Sequence, residues 1–219
     1  MAISAAQVKE LRDATGAGMM DCKRALEERG GNFEEAVKYL REKGMAKAAK
    51  RASKVASEGA IASYIHMGGK IGVLVEINCE TDFVARGEAF QTFVKDICLQ
   101  ICSANPVFVT KEEVPQSAYD AEKEVYVKQA LETGKPQNIC EKIAEGKMNK
   151  WFSEVCLLEQ PYVKDDKKTI HDLIAELTAK CGEKIVIRRF ARFLLGEGIE
   201  KVQTDFAAEV AAELAKVQQ

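Results

Sequence analysis

Along residues 1–44 the apolar positions recur at helical spacing in three short runs. Ser4 and Gln7 stand at capping-box spacing, and Val8 and Leu11 follow on one face. Gly16 and Gly18 interrupt the pattern. A second run from about Met19 to Arg29 stops at Gly30-Gly31, because glycine tolerates the left-handed conformation that closes a helix. Asn32 and Glu35 repeat the cap spacing, Phe33, Val37 and Leu40 supply a face, and Gly44 is expected to end the third helix. Helices this short are not stable singly, so the three are expected to pack together. Met45 to Ser57 is rich in alanine and lysine. Lys43, Lys47, Lys50, Arg51 and Lys54 fall within about a 100° arc at helical spacing, which reads as a connector helix with one basic stripe.

From Gly59 the period changes to two. Ile61, Ser63, Ile65 and Met67 share one side of a predicted strand, and Gly68-Gly69 signals a two-residue hairpin. Ile71, Val73, Val75, Ile77 and Cys79 share one face of the returning strand. After Thr81-Asp82-Phe83-Val84, a helix is marked by Phe90, Phe93, Val94, Ile97, Cys98 and Ile101 and closed by Asn105-Pro106. Further helices are predicted over 116–133, 136–145, 147–158 and 169–181, with Gly134, Pro136, Gly146, Pro161 and Gly182 as punctuation. Residues 184–195 read as a strand with Ile185, Ile187, Phe193 and Leu195 on one side and Lys184, Arg188 and Arg192 on the other. Thr204-Asp205 caps a last helix carrying Phe206, Val210, Leu214 and Val217. The expected class is α+β: a three-helix module over 1–44, a basic helical connector over 45–57, an antiparallel-sheet core with flanking helices over 58–198, and a C-terminal helix over 199–219.

Composition narrows the function. Hydrophobic residues make up 47% and charged residues 30%, enough for a packed core. The 32 basic and 34 acidic residues nearly balance, which argues against a general nucleic-acid binder. The seven cysteines contain no C-x-x-C pair and sit in apolar or helical contexts. They read as reduced thiols in a cytoplasmic protein, with no zinc site. The opening MAISAAQVKELRDATG resembles neither a signal nor a transit peptide, and no stretch approaches the roughly 18 apolar residues that would span a membrane.

Catalytic motifs are missing. His66 and His171 stand far apart, neither near a nucleophile motif, and both read as structural. Thr15-Gly16-Ala17-Gly18-Met19 superficially suggests a phosphate loop. However, no Lys-Ser/Thr follows, Asp21 occupies the third glycine position, and no strand precedes it. An interhelical turn is the better reading, and Met19-Met20 beside it suits an adaptable contact surface. Thr81-Asp82-Phe83-Val84 has two readings. It is a helix cap with Phe83 packed beneath, as Thr204-Asp205-Phe206 illustrates, or a protruding strand-to-helix turn whose apolar tip enters another protein's pocket.

Two stretches carry a resemblance. Leu11-Arg12-x-x-Thr15-Gly16-Ala17-Gly18-Met19-Met20-Asp21-Cys22-Lys23 followed by Ala25-Leu26, and Glu76-Ile-Asn-Cys-Glu-Thr-Asp-Phe-Val-Ala-Arg86, resemble the two signatures of the bacterial translation elongation factor Ts family. The resemblance implies a guanine-nucleotide exchange factor for elongation factor Tu, with no catalytic residues, cofactor, metal or direct nucleotide binding of its own. It implies that the first module has a ubiquitin-associated-like fold and docks on the partner's nucleotide-binding domain. Leu11, Arg12, Thr15, Gly16, Ala17, Gly18, Met19 and Met20 would form that contact. Thr81, Asp82, Phe83 and Val84 would reach the magnesium and phosphate site, and the helix near 204–217 would add a contact. Gly87 stands where relatives often carry Asn. Longer relatives have a duplicated core and a helical hairpin insertion. This chain is expected to be too short for both and, like the compact members, to pair as a homodimer through its core. No nucleic-acid or membrane partner is implied.

Overall fold

The computed structural model describes residues 3–51, 53–134 and 136–199. The expected helix capped by Thr204-Asp205 lies outside the described residues, as do the side chains of Lys47 and Lys50 in the basic stripe. The rest is α+β.

Three helices open the chain: α1 (Ala5–Thr15), α2 (Met19–Glu28) and α3 (Phe33–Arg51). The Ser4–Gln7 capping box forms, and Gly16 closes α1 at φ 65°. Asn32 Oδ1 accepts the Glu35 amide at 3.1 Å. Val8, Leu11, Cys22, Ala25, Leu26 and Ala36 form a small core of their own. Gly44 does not end the third helix, which runs on to Arg51. The alanines and lysines after Gly44 are strong helix formers and outweigh the roughly 1 kcal/mol that one interior glycine costs.

The core sheet contains β1 (Glu58–Ile65) and β2 (Ile71–Cys79), antiparallel. Their connection is longer than two residues: the His66 amide bonds the Ile71 carbonyl across a reversal in which Gly68 and Gly69 both adopt positive φ. At Gly59 a Cβ would lie 2.1 Å from the Ile77 carbonyl oxygen, so only glycine fits there. A one-turn helix α4 (Asp82–Ala85) leads into α5 (Glu88–Ala104), whose Phe90, Phe93, Val94, Ile97, Cys98 and Ile101 are buried.

Next comes a helical hairpin, α6 (Gln116–Leu131) and α7 (Gln137–Val155). Two sequence expectations are corrected here. The chain is long enough for a helical hairpin, and the two helices predicted over 136–145 and 147–158 are one, continuous through Gly146. A Cβ at Gly146 would meet nothing within 4 Å, so the residue is neither a bend nor a packing point. A two-stranded ribbon of β3 (Pro161–Tyr162) and β4 (Asp165–Thr169), not foreseen from the sequence, leads to α8 (Ile170–Cys181). Then β5 (Val186–Leu194) completes the sheet in the order β1-β2-β5.

β5 corrects the predicted facing. Its register against β2 shifts between Glu76 and Ile77, which skips Arg188. A bulge reverses the alternation beyond it. Ile187 is buried and Phe190 packs on the core, but Phe193 is 67% exposed, and Arg192 rather than Phe193 lies on the core side opposite Val73.

The helical module rests on the core where α3 crosses α8. Gly44 faces Ala175 and Ala179, and Arg41 Nε donates to Asp172 Oδ1 at 3.1 Å while its Nη2 reaches Oδ2. Asp172 also accepts the Thr169 amide and hydroxyl at the start of α8. Burial pushes its carboxyl upward, but Arg41 and Thr169 outweigh burial and hold it below the usual range. No helix among the described residues is long and apolar enough to cross a membrane.

Two glycine substitutions are expected to act in opposite directions in urea denaturation. Gly146→Ala should raise stability by about 0.5–1 kcal/mol, since the helix is free of contacts there. Gly59→Ala should lower it by at least ~1–3 kcal/mol.

Candidate functional site

The site grows from the end of β2. Cys79 is the last inward residue of the strand, with its sulfur donating to the Thr81 carbonyl at 3.1 Å. Burial pushes this thiol up to about 11, so it is a neutral packing group. Thr81 then adopts extended geometry (φ −130°, ψ 154°), and its hydroxyl accepts the Val84 amide at 3.4 Å. This is the N-cap foreseen in the sequence. The helix it caps lasts one turn before Gly87 starts α5 in a new direction.

Within that turn the side chains divide by face. Ala85 is buried and Val84 packs against the core from a half-buried position. Phe83 is 88% exposed. The cap forms at Thr81, but Phe83 is not packed beneath it as the cap reading expected: it stands in solvent on a protruding turn. An exposed phenyl ring forgoes about 1.5–3 kcal/mol of burial, so its place is not explained by folding. Asp82 pairs with Arg86 at 3.0 Å, both exposed, a contact weak enough to be exchanged for another.

The neighbouring side chains brace the turn. Glu183, between α8 and β5, accepts from the Thr81 amide (3.0 Å, Oε2) and hydroxyl (2.7 Å, Oε1). Glu80 accepts the Lys184 amide at 2.7 Å and pairs with Arg51 at 3.0 Å. The Lys184 amide, with Arg51 behind it, holds the Glu80 carboxyl below its usual value. Sequence reasoning missed Glu183, Lys184 and Arg51 as parts of this site. Glu183 and Lys184 arrive through the antiparallel partnership of β2 and β5, and Arg51 through the end of α3, neither of which the sequence states.

The first signature stretch lies on the helical module. Leu11, expected at the contact, is fully buried and supports the module from within. Thr15 donates to the Leu11 carbonyl at 2.6 Å and accepts the Ala17 amide at 3.4 Å, while half-buried Ala17 packs on the small core. Arg12, Gly16 and Gly18 are exposed, as are Met19 at 53% and Met20 at 69%. Thr15 and Gly16 border a groove of about 450 Å³ whose far wall includes Glu88 and Ala89 of α5. The groove thus runs from the first signature to the start of α5, which follows the Phe83 turn in the chain. His66 bonds Tyr64 at 3.0 Å and stands alone as an imidazole. Among the described residues no group of three His, Cys, Asp or Glu side chains could hold a metal ion.

The family model described as elongation factor TS matches residues 2–197. A protein named elongation factor Ts from Geobacter metallireducens is 62% identical over 212 residues, covering 97% of this chain and 98% of its own length. Proteins of the same name from Geobacter sulfurreducens and Desulforamulus reducens are 59% and 58% identical over the same shares. This chain belongs to the elongation factor Ts family. Its role is accordingly in translation elongation. In this chain both signature stretches keep hydrogen-bonded backbones while presenting methionine and phenylalanine side chains to solvent.

Because Phe83 contributes almost no burial, Phe83→Ala is expected to change unfolding free energy by no more than ~0.5 kcal/mol in a urea melt. A larger loss would make Phe83 a folding residue.

Proposed function

We propose that this chain is a guanine-nucleotide exchange factor: it binds elongation factor Tu, disturbs that protein's magnesium and phosphate site, and promotes GDP release in the cytoplasm. The observation that carries the proposal is Phe83, exposed on a one-turn helix whose backbone is held from both sides. The helical module over residues 1–44 docks through Met19, Met20 and the Gly16–Gly18 loop, and so aims Phe83.

The physics is that of linked binding. Magnesium requires near-ideal octahedral geometry and bridges protein and phosphate oxygens, so a small displacement weakens it sharply. Driving Phe83 into an adjacent apolar pocket moves the elements that hold metal and phosphate. Partner and nucleotide then weaken one another by the same factor. Every tenfold gain in GDP release requires about 1.4 kcal/mol of differential binding. Burying one phenyl ring supplies about 1.5–3 kcal/mol, so Phe83 accounts for one to two such steps. Asp82 is the polar member beside it. The chain itself makes or breaks no covalent bond in this scheme and touches neither nucleotide nor nucleic acid.

The core also serves to pair two copies. The outer face of the sheet carries Ile61 (68% exposed), Ile65 (67%), Leu74 (48%) and Phe193 (67%), a contiguous apolar surface. Beside it, Glu76 bonds Arg188 and Arg189. Such a face matches itself across a two-fold axis, with the sheet of a second copy as its cover.

Release of fluorescent GDP from elongation factor Tu tests the exchange function. The chain should accelerate it, and Phe83→Ala should reduce the acceleration by about ten- to a hundredfold. Unaccelerated release with the unmodified chain would overturn the reading. An adaptor with no exchange role would be impaired by replacing Met19 and Met20 yet indifferent to Phe83. Light scattering at micromolar concentration should give twice the chain mass, falling to one chain in Ile61→Lys; a monomer before substitution would refute the dimer.

A further inference from the structure

The turn that carries Phe83 is too short to hold its own shape. Its helical bonds are Thr81 carbonyl to Ala85 amide and Asp82 carbonyl to Arg86 amide, at 3.2 and 3.0 Å. One turn does not offset the entropy of fixing its residues. Packing holds only its inner face, through buried Ala85 and half-buried Val84, and leaves the Thr81 end unrestrained. What remains is polar and reciprocal. The Glu183 carboxylate takes the amide and hydroxyl of Thr81, and the Glu80 carboxylate takes the amide of Lys184. Each acid thus holds the residue next to the other, and together they staple the β2–α4 turn to the α8–β5 turn. Both Glu183 bonds are charge-assisted, the stronger kind. They also place a negative charge at the N-terminus of α4, where the helix dipole favours it. Arg51, the last residue of α3, bonds Glu80 at 3.0 and 3.2 Å and extends the staple to the helix that carries the docking module.

We infer that Glu183 is a positioning residue for nucleotide exchange, acting through Thr81 to hold Phe83 in one outward pose, with Glu80 as its reciprocal partner. The inference rests on the reading of Phe83 as the inserting side chain. Glu183 is half-buried against its own chain and acts on that pose rather than on docking, which belongs to the helical module.

The test is steady-state exchange on elongation factor Tu with the full chain. Glu183→Ala should lower the maximal rate of GDP release about tenfold, the scale on which misplacement of an aligned group is felt, while the half-saturating concentration stays within about twofold. Added to Phe83→Ala, it should lower the rate no further. Glu183→Gln, which keeps an acceptor for the Thr81 amide, should restore most of the loss. Wild-type rates in Glu183→Ala would overturn the inference, as would an unreduced effect on top of Phe83→Ala or a change in half-saturation alone. If Phe83→Ala itself exchanges like the unmodified chain, the reading of Phe83 fails instead, a separate result. Should Glu183→Ala unfold, hydrogen exchange in Glu183→Asp decides, because the shorter side chain keeps the charge but withdraws the carboxylate from Thr81. Faster exchange of the Thr81 and Val84 amides than of β2 supports the staple, and unchanged protection refutes it.

Discussion

Phe90, Phe93, Ile97 and Ile101 of α5 bury in one cluster with Val73, Val75 and Ile77 of β2, and the position of the Phe83 turn follows from that packing. Two apolar faces with different periods meet there, one repeating every two residues and one along a helical stripe. Joining them requires the chain to turn sharply between Cys79 and Glu88. The turn has no room to bury all its side chains, because the sheet and helix already satisfy each other. Phe83 is the residue left outside.

A turn that only partly packs on the core needs a further restraint, and here carboxylates supply it. Glu80 and Glu183 reach across from adjacent turns because β2 and β5 are antiparallel neighbours, with Asn78 opposite Val186. The same logic recurs where the helical module meets the core. Gly44 lets α3 lie close to α8, and Arg41 binds the carboxylate that starts α8. Both braces sit on α3, at Arg41 and at Arg51, so one helix ties the methionine-bearing module to the base of the phenylalanine turn. Directional bonds of this kind add little net stability when half-exposed, but they choose one geometry among many.

Most of the secondary structure was legible, and the misreadings have identifiable causes. Ser4, Gly16, Gly30 and Asn105 mark helix ends because capping and positive φ are local properties of one or two residues. Gly44 and Gly146 looked the same in the sequence yet lie inside helices, since a single glycine is an affordable interruption when its neighbours favour helix. The facing of β5 went wrong at Arg188, where the register against β2 shifts. A bulge is set by the partner strand, and alternation along one strand cannot reveal it. Leu11 was misplaced for a related reason: a motif match does not say whether a residue makes the contact or supports it.

By itself the sequence determined the α+β class, the α1–α2 turn, the β1–β2 ribbon, the cap at Thr81 and, through two signature stretches, the family. These depend on local backbone preference and short-range periodicity, which neighbouring residues carry among themselves. Only the tertiary structure decided whether Phe83 was core or surface, which face of the sheet stays open, and that Glu183 belongs to a site one hundred residues away in the chain, near Thr81. Exposure and long-range hydrogen bonding are properties of how elements pack, which no local stretch of sequence carries by itself.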